Sequence, residues 1–100
     1  MEASEVKVAD GLPTQCFVVT PGTDDLVLIK CGESGYHSVD ANYFKRGLSE
    51  TPKAAAKRLN RGIGVTKAQA AAMLAGSVCG WHVRAADPAN WSEDGVSLKR

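Results

Sequence analysis

The chain contains no apolar run of about 18 residues, the length that marks a membrane-spanning helix, and no basic-then-apolar leader of the secretory kind. Its three cysteines, Cys16, Cys31 and Cys79, form no C-x-x-C pair, and an odd number builds no disulfide framework. They read as reduced thiols of a cytoplasmic protein, with Cys16 and Cys79 in the core. Glycine-rich phosphate loops are missing as well: Gly62 and Gly64 lack the surrounding pattern and its lysine. These absences argue against membrane insertion, a disulfide-stapled scaffold and P-loop nucleotide chemistry.

What is present is the composition of an ordinary folded domain, 44% apolar and 23% charged over 100 residues. That suffices for one domain with a single modest core and is too hydrophobic for a disordered chain. The net charge of +1 conceals a strong asymmetry. Residues 1–40 hold seven acids against Lys7 and Lys30, whereas residues 41–86 hold eight cations against Glu50 alone. Such polarity either closes on itself in the fold or steers association with a charged partner.

Along the chain, residues 1–12 are polar and weakly patterned, an arm or an edge strand. Residues 16–39 carry β-type runs, Cys16 to Thr20 and Leu26 to Cys31, separated by the turn residues Pro21 to Asp25. A short third strand fits Tyr36 to Val39, giving a three-stranded antiparallel meander. The nearly continuous apolar run from Leu26 suits its central strand. A helical hairpin is expected over residues 51–76. Thr51-Pro52 supplies an N-cap and a first-turn proline, and Gly62 is the expected stop. Ala55, Leu59 and Ile63 recur every four residues as its buried stripe. Thr66 and Gln69 form a capping box for the second helix, with Val65 and Ala70 as its hydrophobic staple and Met73 and Leu74 as core contacts. Gly76 is its expected end, and residues 89–100 form a tail anchored by Trp91 and Val96. The expected fold class is α+β: a short antiparallel β-meander with one face covered by the two-helix hairpin.

Candidate contact residues fall into three groups. Lys53, Lys57 and Arg61 make a four-residue ladder with Arg58 beside it and no acid at i±4, a repulsive face suited to an anionic partner. Tyr43, Phe44, Lys45 and Arg46 place two aromatics beside two cations, able to stack on a base, anchor in a protein pocket or pack beneath their own loop. Asp24, Asp25 and Glu33 belong to the acidic part. The two helices have helix-turn-helix spacing, but after Lys67 and Gln69 the second offers almost nothing except alanine to a base edge.

Metal binding is not expected: Cys79 and His82 make one C-x2-H pair, and Cys16, Cys31 and His37 are scattered. Catalysis is not expected either. His37, Ser38 and Asp40 sit where neighbours in a strand point to opposite faces, and nothing orients His82 beside Cys79. No cofactor is implied.

Leu59-Asn60, Gly64-Val65-Thr66, Ala68-Gln69, Ala72-Met73, Gly76-Ser77, Gly80-Trp81 and Ala86-Asp87-Pro88 resemble a motif of small proteins from plasmids, prophages and integrative elements. Gly35-Tyr36-His37 matches the aromatic strand that precedes it, and the resemblance spans about residues 35–90, departing at Val78-Cys79. In size and character the chain is similar to anti-CRISPR proteins acting on type I surveillance complexes. That resemblance implies a steric inhibitor in the host cytoplasm, docked on a Cas ribonucleoprotein and blocking target DNA. The alternative is a small nucleic-acid-binding regulatory protein of a mobile element, and a structural or assembly role is a third.

Overall fold

The computed structural model describes residues 13–20, 23–33, 35–74, 92 and 95–97. The expected arm, Gly76, Trp81, His82, the Asp87-Pro88 stop and Trp91 lie outside them. Three strands, β1 (Gln15–Val19), β2 (Leu26–Lys30) and β3 (His37–Ser38), pair antiparallel in the order β1-β2-β3. Short 3-10 turns at Ala41–Tyr43 and Arg46–Leu48 lead to the helices α1 (Pro52–Gly62) and α2 (Lys67–Leu74). The domain is α+β, with helices packed against an antiparallel meander.

The register explains how the helices divide. Cys16 faces Ile29 and Val18 faces Val27 across the β1–β2 ladder, and these side chains pack with Val65, Ala70, Met73 and Leu74. Phe17 faces Leu28 and Val19 faces Leu26, and these pack with Ala55, Ala56, Leu59 and Val96. Because side chains alternate along a strand, the two sets lie on opposite faces of the sheet. Thus α1 covers one face and α2 the other, where the sequence suggests a hairpin covering one. The reason is in β1 itself, whose residues Cys16 to Val19 are all apolar and all buried, so neither face of that strand is left to solvent.

The caps form from local sequence. Thr51 Oγ1 accepts from the Ala54 amide at 3.1 Å, and Pro52 stands in the first turn of α1. Thr66 and Gln69 close a reciprocal capping box: the Thr66 amide donates to Gln69 Oε1 at 3.0 Å, and the Gln69 amide to Thr66 Oγ1 at 3.1 Å.

The end of α1 differs from expectation. Gly62 is its last helical residue, and the left-handed position belongs to Gly64, at φ +84°. The Gly64 amide donates to Arg61 O at 3.1 Å and the Val65 amide to Asn60 O at 2.7 Å, the paired bonds of a Schellman turn. The same turn removes Ile63 from the buried stripe, leaving it 46% exposed, while Val65 turns into the α2-side core. No helix among the described residues is long and apolar enough to cross a membrane.

Candidate functional site

The outer edge of β1 is where the chain passes from one side of the sheet to the other. A bare edge would leave ladder amides and carbonyls unpaired. Here the buried Asn60 side chain takes the place of a neighbouring strand. The Phe17 amide donates to Asn60 Oδ1 at 2.7 Å, and Asn60 Nδ2 donates to Phe17 O at 2.8 Å. Two residues on, the Val19 amide donates to Val96 O at 2.6 Å, and Ser97 makes a parallel bridge with Val19. Val96 is buried, as its expected role of anchor requires. Gly95, at φ +74°, brings its backbone so close to α2 that a Cβ there would collide with the Lys67 carbonyl oxygen.

Between this covered edge and the α1–α2 turn lies an open cleft of about 540 Å³. Asn60, Val65 and Val96 form its buried wall, and Gly64 and Thr66 form the turn side. Lys57 and Arg61, one turn apart on α1, and Lys67, the first residue of α2, complete the lining. All three cations are exposed, and no ion pair engages them among the described residues. No carboxylate is among the described lining residues. Thr66 Oγ1 accepts from the Gln69 amide, which leaves its proton available to a ligand. The cleft is therefore suited to an anion.

The remaining cations of the ladder behave differently. Lys53 is exposed on the first turn of α1 but does not line the cleft. Arg58 is held by Glu50: Nη2 meets Oε1 at 2.7 Å and Nε donates to Oε2 at 2.8 Å. The same guanidinium donates to Tyr43 O, and Glu50 Oε1 also accepts from the Lys45 amide at 3.0 Å. This clasp holds the Glu50 carboxyl at about 2, chiefly through the Arg58 hydrogen bonds, with the Lys45 amide assisting. It also raises the Arg58 pKa, again through the hydrogen bonds to Glu50. Arg58 thus has an acid partner after all, eight residues back and outside the helix.

The aromatic loop is divided by the same clasp. Phe44 packs partly buried against the α1-side core, whereas Tyr43 is exposed along one edge with its ring 5.3 Å from that of Phe17. Lys45 is exposed, and Arg46 opens the second 3-10 turn. Asp24 and Asp25 lie exposed in the β1–β2 turn and share a smaller cleft of about 270 Å³ with Phe44, Val39 and Pro52. Glu33 Oε1 stands 3.0 Å from His37 Nε2, close enough to pair with a protonated imidazole but not aligned as a hydrogen bond. The structure therefore joins Lys57 with Arg61 in one place, and Asp24 and Asp25 with Phe44 in another. Sequence reasoning missed the cleft role of Lys67, Thr66 and Asn60; the capping box and the Leu59-Asn60 pair were the signals nearest to it.

The cysteines correct one expectation. Cys31 is disulfide-bonded, not a reduced thiol. The cytoplasmic reading loses the support it took from three free thiols. Cys16 is free and fully buried, and burial pushes its thiol up to about 12, where no reactive thiolate forms. Among the described residues no three metal-ligating side chains converge. Cys79 and His82 lie outside them. No family model matches the chain, and neither a curated protein nor a solved structure does so.

Proposed function

We propose that the chain is a non-enzymatic binding domain that docks on nucleic-acid phosphates through the cationic cleft at the α1–α2 turn. The observation that carries this reading is the convergence of Lys57, Arg61 and Lys67 on one cleft without a carboxylate in its described lining. Contact of this kind positions a protein on a phosphate backbone without reading sequence. Base readout by α2 is disfavoured because its accessible face after Lys67 and Gln69 carries only alanines, which offer no hydrogen bonds to a base edge. An inhibitor seated on a type I Cas ribonucleoprotein is the narrower form of the same proposal, in which the cleft meets guide-RNA phosphate.

The test is the salt dependence of affinity for nucleic acid. Loss of one cation at the cleft, as in Lys57→Gln, lowers the slope of log affinity against log salt by about one. Lys57→Glu with Arg61→Glu abolishes binding without lowering the melting temperature, since both side chains are exposed. Unchanged binding by that double variant removes the cleft from the account. Capture from a CRISPR-bearing lysate, with and without nuclease, separates the two forms. A nuclease-resistant Cas complex selects the inhibitor, and nucleic acid lost on digestion selects the regulatory protein.

A further inference from the structure

Resting on the phosphate-docking reading, we infer that the cleft takes a phosphomonoester, the terminal phosphate of a nucleic-acid strand or of a free mononucleotide, in preference to the internal phosphodiesters of a backbone. The first reason is shape. A surface that tracks a backbone spreads its cations over the length of several nucleotides, and the four-residue ladder of α1 would have done so. The fold undoes that ladder: Arg58 is clasped by Glu50 and Lys53 lies away from the cleft. What remains is concave and of about 540 Å³, within the range of pockets that enclose one small ligand.

Charge gives the second reason. An internal phosphodiester carries one negative charge, whereas a phosphomonoester carries roughly 1.5 to 2 at neutral pH and exposes three acceptor oxygens. Three cations from two helices, with the Thr66 hydroxyl between them in sequence, match the second better than the first. The buried wall supplies the third reason. Val65 and Val96 are apolar, and the Asn60 amide is already bonded to the Phe17 backbone, so that side of the cleft offers a surface to a sugar or base face rather than further phosphate ligands.

The experiment compares two short single-stranded oligonucleotides, identical except for a 5′-phosphate or a 5′-hydroxyl, with a nucleoside 5′-monophosphate as the third ligand. The expected result is roughly tenfold or more tighter binding of the phosphorylated strand, the scale of an added charge-assisted contact. Lys67→Gln should erase that preference while the folded protein melts as before. Equal affinity for the two strands overturns the inference and leaves backbone docking standing. Binding of the monophosphate without either strand assigns the cleft to a free nucleotide and removes the nucleic-acid function. No binding of any of the three overturns both.

Discussion

The two helices stabilise the same sheet by different means. α2 is short, alanine-rich and without a polar stripe, and it contributes bulk: Met73 and Leu74 are almost wholly buried against Cys16, Val18 and Ile29. α1 is amphipathic and contributes proximity. Its fully buried residues facing the sheet are Ala55 and Ala56, small enough to bring the helix backbone near β1, and its largest apolar side chain, Leu59, is only partly buried. Close approach is what allows Asn60 to reach the Phe17 backbone. Side-chain volume therefore holds the α2 face, whereas the α1 face relies on small residues and a polar bracket. The edge between the two is where the cations gather.

Truncation on each face breaks that comparison most directly. Met73→Ala should cost about 2–5 kcal/mol, because it removes a fully buried side chain and leaves a cavity in close-packed surroundings. Leu59→Ala should cost clearly less, about 1–2 kcal/mol, since Leu59 retains solvent contact and its removal opens no closed void. Urea unfolding of the two variants measures the difference. Equal losses would mean that α1 also holds its face by bulk.

The bracket is the next test. Asn60→Ala leaves the Phe17 amide and carbonyl without partners at a buried edge, at about 2–4 kcal/mol for the two groups together. Unlike Met73→Ala, this variant should increase amide exchange at Phe17 more than at the β1–β2 ladder. Uniform exchange across the sheet would show that Asn60 acts through general packing and not as a surrogate strand.

Much of this was legible where the deciding interactions are local. Thr51-Pro52 and the Thr66–Gln69 box mark helix starts within four residues, and the runs from Cys16 and Leu26 are apolar enough to be strands wherever they lie. The stop of α1 was legible only in kind. Gly62 and Gly64 are both local candidates, and the choice depends on Val65 finding a core on the far side of the sheet. That is a tertiary event. Asn60 carries no local sign of its buried role, because its partner is 43 residues away. The whole basic ladder was visible from spacing alone. Its reduction to Lys57 and Arg61, and their meeting with Lys67, required the turn that carries the chain around β1.

Glu50 supplies the subtlest contrast, between a cation that the fold engages and those it leaves open. The hydrogen bonds from Arg58, with the Lys45 amide, depress the Glu50 carboxyl from 4.5 to about 2 in the folded chain. A group with a depressed folded pKa stabilises the fold above its unfolded value and loses that contribution as the pH falls toward the folded one. Glu50→Gln should therefore be less stable than the parent above pH 4.5, with the gap closing between 4.5 and about 2. Denaturation midpoints of both proteins across that range measure it. A gap that stays constant with pH would mean the carboxylate charge is irrelevant to the clasp. In that case Arg58 would be as available to an anion as Lys57 and Arg61, and the division of the ladder into engaged and open cations would fail.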